Sequence, residues 1–329
     1  MKTTLSLAVA LFGATLAHAQ DKPELVIYTY GSFVSDWGPG PQVEKAFEST
    51  CACDLKLIAV GDGAGILSRL KLEGGRTDAD IVLGLDTNLT ADATASGLIA
   101  PHGITATFDM PLVWDDANFL PYDWGYFAFV YDESKVSNAP NSFEELVSSD
   151  LEIVIQDPRS STPGLGLMMW VEAAYGADAA RIWEGLAPKI VTVTKGWDEA
   201  YGMFLEGEAD MVLSYTTSPS YHIIAEEDAS KKAAAFNEGH YMQVEVAGIV
   251  ESTDQPELAK SFMEFMISDD FQSIIPTTNW MYPVKLPEGG LPDAFAKPIA
   301  DDKALLTPAD EAPAIRDAAL AEWISILSK

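Results

Sequence analysis

Short apolar runs recur along this chain, each followed by a polar or glycine-rich stretch and then by a segment of helical period. Leu25-Val26-Ile27-Tyr28-Thr29-Tyr30 is the first, and its β-branched and aromatic content predicts a buried strand. A loop over 31–41 and a helix over 42–49 follow. Residues 55–60 predict a second strand, Gly61-Asp62-Gly63-Ala64-Gly65 its loop and 66–73 its helix. A third strand spans 81–86, with a helix over 89–97. Further strands are expected at 126–131, 153–155, 190–194, 211–213 and 241–250, and further helices at 142–148, 179–186, 197–206, 256–267 and 270–275. This β-loop-α alternation predicts an α/β protein whose ligand loops follow the carboxyl ends of strands. No repeat, low-complexity tract or Ser/Gly linker divides the chain, so any passage between lobes runs on strands, with 126–131 and 241–250 the expected crossings.

Two post-strand loops stand out. Ser214-Tyr215-Thr216-Thr217-Ser218-Pro219-Ser220-Tyr221 carries five hydroxyl side chains and two phenols directly after the apolar 211–213. Such a loop suits a small polar ligand, though a polar turn ending at Pro219 needs no ligand. The second, 156–166, leads into the apolar run 167–174. Ser161 or Thr162 as N-cap, with Pro163 at the first helical position, makes a helix start whose N–H groups favour an anion such as phosphate. Plain capping accounts for the same residues.

The start of the chain changes the compartment. Lys2, the apolar run 5–16 and Ala17-His18-Ala19 have the layout of a secretory signal peptide, with cleavage expected after Ala19. The mature chain is then 310 of 329 residues, more than one domain usually holds, and two lobes are expected. Its formal charge of −30, or −31 without Lys2, argues against nucleic acid and anionic lipid as partners. The same charge attracts cations within a Debye length of about 10 Å, and it also serves solubility. Cys51 and Cys53 are the only cysteines. They can pair in an oxidising compartment with little effect on the unfolded chain, or act as a nucleophile or metal pair, for which no local partner exists among the scattered His18, His102, His222 and His240.

Longer motifs carry a resemblance. Residues 28–33, 36–41, 122–132, 156–166, 192–197, 213–221, 238–241 and 279–283, among them Asp36-Trp37-Gly38-Pro39-Gly40-Pro41 and Asn279-Trp280-Met281-Tyr282-Pro283, are similar to the periplasmic thiamine-binding proteins of bacterial thiamine ABC importers. The similarity extends over nearly the whole mature chain. It implies a two-lobed type II periplasmic binding protein fold, each lobe a mixed sheet flanked by helices, with thiamine or its mono- or diphosphate in the cleft between lobes. The expected division is a signal peptide at 1–19, lobe one at 20–124 and 244–282, and lobe two at 125–243 and 283–329.

The positions matching the family's binding motif are Asp62, Gly63, Ser161, Thr162, Trp197, Tyr215, Thr216, Thr217 and Ser218. Tyr30, Tyr221, Asn279 and Trp280 fall in matching segments and are expected as aromatic or polar walls. Thiamine's thiazolium is a permanent cation, which Tyr and Trp faces attract by about 0.5 to 2 kcal/mol per contact. Its flat aminopyrimidine can stack on Tyr221 or Tyr30 and pair with Asp62, while its hydroxyethyl or phosphate arm meets Ser161, Thr162 and the 215–218 hydroxyls. Each residue also has a plain structural role: Trp197 can pack under its loop, Asp62 can be a turn residue, and Trp280 can line a lobe junction. The resemblance implies a monomeric receptor with no catalytic residue, metal or cofactor, which hands its ligand to an inner-membrane ABC permease. Two alternatives share the architecture. A thiamine-cleaving enzyme needs an activated cysteine beside a carboxylate in the cleft, and a ferric-ion receptor would use tyrosinate oxygens such as those of Tyr215 and Tyr221.

Overall fold

The computed structural model describes residues 22–328; the expected signal peptide and its cleavage after Ala19 lie outside the described residues. Strand β1 (Glu24–Thr29) buries Leu25 and Ile27, then passes through α1 (Gly31–Val34) and α2 (Gly40–Cys51) to the parallel β2 (Asp54–Ala59). Helix α3 (Gly63–Glu73) returns the chain to β3 (Ile81–Asp86), parallel to β1 on its other side. After α4 (Thr90–Ala95) and β4 (Ile99–Ala100) comes β5 (Phe119–Asp132), with 14 residues the longest strand described. A second βα series follows: α5 (Phe143–Ser148), β6 (Ile153–Gln156), α6 (Thr162–Tyr175), α7 (Ala179–Leu186), β7 (Ile190–Thr194), α8 (Trp197–Glu206), β8 (Met211–Tyr215), α9 (Ser218–Ala225) and β9 (Lys231–Ala233). The chain then runs through β10 (His240–Val250), α10 (Pro256–Met266), α11 (Asp269–Gln272), α12 (Ile275–Thr278), β11 (Tyr282–Pro283) and β12 (Ala304–Leu305) to α13 (Ala312–Leu327).

The strand order β2-β1-β3-β10-β5-β8-β6-β7 places the two longest strands side by side at the middle. β5 changes partner along its length. Its first half pairs antiparallel with β10, from Phe119 opposite Gly248 to Tyr126 opposite Met242, and its second half pairs with β8, starting at Phe127 opposite Tyr215. Two mixed sheets are thereby joined through one continuous strand, with helices against both. The last helix, α13, packs on α6 and α7.

Local chemistry explains several element ends. Ser142 caps α5, its hydroxyl accepting from the Glu145 N–H at 3.0 Å, while Glu145 Oε2 reaches back to accept from the Asn141 N–H just before the cap. Helix α2 ends on Ala52 in the left-handed region, φ 51°, and the flanking Cys51 and Cys53 are disulfide-bonded.

Four expected elements differ. The 126–131 strand begins at Phe119, because buried Pro121 and Asp123 interrupt its apolar signal. The 31–41 loop contains α1 and the start of α2, and the polar 214–221 loop divides into the end of β8 and the start of α9, with Pro219 tolerated in the first helical turn. The 270–275 helix is two short helices separated at Ser273 and Ile274.

Candidate functional site

Three helices begin around one point: α3 behind Asp62, α6 behind Ser161 and α8 behind Gly196. The Asp62 carboxyl lies among these helix starts and takes the Trp197 backbone N–H at the head of α8. Burial nevertheless pushes Asp62 up to about 6, aided by the nearby negative Asp198 and Glu199 and opposed by the Ser161 hydroxyl and the Trp197 backbone N–H. Ser161 stands at the N-cap position of α6 but makes no side-chain cap bond; its hydroxyl and Asp62 Oδ2 are buried without a well-formed partner. Plain capping therefore does not account for Ser161. Beside them the Gly63 N–H donates to Thr162 Oγ1 at 3.1 Å, joining the starts of α3 and α6. A Cβ on Gly63 would lie 2.8 Å from that oxygen and 2.9 Å from the Gly84 carbonyl oxygen, so glycine is required by close approach.

Aromatic rings wall the cleft above this point. Trp197 stacks on Tyr201 at 4.9 Å, and its indole N–H donates to Ser214 Oγ at 2.8 Å, which in turn bonds Ser218 Oγ at 2.7 Å. Trp37, 55% exposed, approaches Trp197 at 6.4 Å from the loop between α1 and α2. On the opposite wall Tyr221 meets Trp280 edge-on at 5.3 Å, and Trp280 holds a left-handed backbone, φ 57°. A tryptophan in that region is strained, a cost found chiefly where a side chain must be aimed.

The floor is made by β10 and β5. Alternation along β10 turns Gln243 and Glu245 to one face. Tyr215 O–H donates to Gln243 Oε1 at 2.9 Å, leaving the Gln243 amide N–H group buried and unpartnered. Glu245 Oε2 accepts from Tyr30 O–H at 2.9 Å and Tyr122 O–H at 2.6 Å. Asn279 donates to Asp123 Oδ2 at 2.6 Å and to Tyr30 at 3.0 Å. Burial holds the phenols of Tyr30, Tyr122 and Tyr215 well above their usual pKa, so all three act as neutral donors.

The enclosed space measures about 560 Å³. Of the residues singled out by sequence, Tyr30, Asp62, Thr162, Trp197, Tyr215, Ser218, Tyr221, Asn279 and Trp280 line it. Gly63, Ser161, Thr216 and Thr217 sit one layer behind. Gly63 and Ser161 hold the helix starts, Thr216 N–H bonds the Tyr126 carbonyl, and Thr217 is buried against Met281. Sequence reasoning missed Trp37, Tyr201, Gln243 and Glu245. The last two carried a signal: amide and carboxylate alternating inside an otherwise apolar strand.

No lysine, arginine or histidine lines the cleft among the described residues. Its ionisable groups are the carboxyls of Asp62, Asp198 and Glu245 and the tyrosine phenols, an arrangement that favours an organic cation with a flat ring. The disulfide-bonded Cys51 and Cys53 lie at the far end of α2, outside the cleft lining, so no thiol faces it. Tyr215 and Tyr221 spend their phenols on different partners, Gln243 and Glu226, and do not converge as a ligand pair. Behind Tyr221, ligand atoms of His222, Glu226 and Asp228 lie within 4.8 Å of one another. Both His222 nitrogens are already engaged, by Tyr201 and Glu226, and Asp228 is engaged by Ser230 and Lys231.

A cleft built at the junction of two sheets that share a crossing strand is the arrangement of a two-lobed solute receptor, here of the type II periplasmic binding protein fold. The chain belongs to the family of bacterial extracellular solute-binding proteins, whose model matches residues 41–273. It is 53% identical to the thiamine-binding periplasmic protein of Escherichia coli (strain K12) over 94% of each chain. A solved structure of a periplasmic thiamin binding protein superposes with a TM-score of 0.90 at 51% identity, covering 94% of this chain and 97% of the other. The fold extends to distant relatives: the fructose-6-phosphate-bound AfuA from Actinobacillus pleuropneumoniae matches with a TM-score of 0.77 at 17% identity, over 94% of this chain and 99% of that one.

Proposed function

We propose that this protein captures thiamine, free or as its mono- or diphosphate, in the periplasm and delivers it to an ABC importer of the inner membrane. The observation that carries the reading is the cleft lining itself, tryptophan and tyrosine faces with carboxyls and no basic side chain. The name borne by relatives of about half identity supplies the particular cation. The thiazolium sits between the Trp197 and Tyr221 faces above the Glu245 end of the floor, the aminopyrimidine takes hydrogen bonds from the other polar groups of the floor, and the hydroxyethyl arm points to the helix starts at Gly63, Thr162 and Trp197. A phosphate on that arm meets backbone N–H groups there.

The chemistry is capture without catalysis, by a monomer freed of its leader after Ala19. Lobe one is 20–124 with 244–282, and lobe two is 125–243 with 283–329. The partner change in β5 between Tyr126 and Phe127 supports that boundary, as does the packing of α13 on α6 and α7. Closure works by population shift, because the ligand binds best where both lobes touch it.

A thermal-shift panel tests the reading. Thiamine raises the melting temperature of ligand-stripped protein, while fructose 6-phosphate and ferric citrate do not. Stabilisation by either of the latter, with none by thiamine, sinks the proposal.

A further inference from the structure

Three carboxyls stand in a row across the central strands. Glu245 of β10 lies directly opposite Asp86 of β3 on one side and directly opposite Asp123 of β5 on the other. Residues so paired in antiparallel strands have Cβ atoms about 5 Å apart and share a face. Both ladders shift register next to the row, between Glu245 and Val246 against β5 and between Val246 and Ala247 against β3. All three side chains are buried, and Glu245 alone reaches the cleft.

The groups that face Glu245 are known from every side. From the end of β1 comes Tyr30 and from β5 Tyr122, both neutral donors to Oε2. Asp123 faces it from β5, Asp86 from β3, and Tyr215 more distantly from β8. Among the described residues Arg316 of α13 is the cation that acts on Asp86, and it is itself paired with Asp92 and Asp317. Among the described residues no basic side chain is paired with Glu245 or Asp123. Asp123 Oδ1 is buried and receives no hydrogen bond from any fixed donor, which leaves Glu245 as its hydrogen-bonding neighbour. Burial raises both carboxyls; the Glu245 charge raises Asp123, the Asp86 charge raises Glu245, and a hydrogen bond within the pair raises Asp123 while lowering Glu245, so the two share a proton in the empty cleft.

We propose that Glu245 is the counter-ion that makes this cleft select a charged ligand over a neutral one of the same shape, and that the Glu245–Asp123 pair gives up a proton when the cation arrives. The proposal rests on thiamine being the ligand. The empty pair holds one proton between its two carboxyls; the thiazolium supplies the missing positive charge, and the proton leaves to solvent. Charge is balanced before and after, with no bond made to the ligand. Because the cation favours the deprotonated pair, affinity rises with pH across the range where the empty pair titrates and levels off above it.

The test is titration calorimetry at about pH 7 in buffers of different ionisation enthalpy, which counts protons released per ligand bound. Two probes are used, thiamine and its neutral thiophene isostere. Wild type is expected to release a substantial fraction of a proton with thiamine and to prefer thiamine strongly. Glu245→Gln is expected to lower the thiamine-to-isostere affinity ratio at least about tenfold and to abolish that release. Asp123→Asn removes the second carboxyl of the pair that shares the proton, so its release falls to less than half. Asp62 faces the same cleft and is common to all three proteins, so its own titration cancels in these differences. An equal proton count in wild type and both variants overturns the proposal, as does a Glu245→Gln protein that loses thiamine and isostere equally. A wild type that binds no thiamine would instead overturn the function proposed above.

Discussion

Gly63 and Thr162, 99 positions apart, meet in one buried hydrogen bond that ties the first turn of α3 to the first turn of α6 across the cleft. The bond is worth about 1 kcal/mol, and it exists only where the two helix starts are close. Thr162→Val keeps the side-chain shape and removes the acceptor. It is expected to weaken ligand affinity about fivefold to tenfold with little change in the melting temperature of the empty protein. Gly63→Ala places a methyl 2.9 Å from the Gly84 carbonyl oxygen and is expected to cost more, which titration of both variants measures.

Asp62 gives a pH signature. Its folded value of about 6 lies above the ordinary 3.8, so the folded state holds the proton more tightly than the unfolded one. The carboxyl therefore costs no stability below about pH 4, and the cost grows as pH rises to 6 and is then constant at about 3 kcal/mol. Asp62→Asn is expected to stabilise the empty protein against urea at pH 8 by up to that amount, with the gain vanishing at low pH. The same substitution lowers thiamine affinity, so stability and binding move in opposite directions.

The Trp197 ring is held by its stack on Tyr201 and its bond to Ser214, which preorganises one face for a cation. Trp197→Ala is expected to weaken thiamine binding by about 1–2 kcal/mol, and Trp197→Phe by less, since it keeps a ring and loses only the indole donor. Competition titration with a fluorescent ligand ranks the two.

The Cys51–Cys53 disulfide closes a very small ring at the end of α2. Chain-entropy arguments give such a ring about 1–2 kcal/mol at most. The Cys51→Ser, Cys53→Ser double variant is expected to unfold at slightly lower denaturant and to bind thiamine as well as wild type. Loss of binding would mean that the C-terminus of α2 shapes the cleft.

How far these features could be read from the chain alone depends on what each residue had to do. The strands before the site were legible because buried parallel strands are continuous apolar runs, as in Ile81–Asp86 and Met211–Tyr215. Asp62 and Trp197 were reachable only through the family resemblance, since alone they read as a turn residue and a packed ring, whereas Tyr215 also stood out in a hydroxyl-rich loop after an apolar strand. Glu245 and Gln243 were not reachable, because a strand-interior carboxylate looks like an interruption until its neighbours across the sheet are known. Asp123 had the same effect on β5, where a functional acid concealed the first half of the strand. Ser161 looked like a helix cap and occupies that position, yet its hydroxyl makes no cap bond and lies beside the Asp62 carboxyl instead.

The central claim is that the cleft is built for one organic cation, and calorimetric titration of the ligand-stripped mature protein with thiamine, thiamine monophosphate and thiamine diphosphate tests it most directly. The account predicts saturable one-to-one binding of thiamine in the sub-micromolar range. It also predicts that the three ligands fall within about tenfold of one another, because helix starts without a basic side chain add only about 1 kcal/mol for a phosphate. Absence of heat and of thermal stabilisation with all three would contradict it, as would a diphosphate preference of several hundredfold, which would require a cationic phosphate site that this lining does not contain.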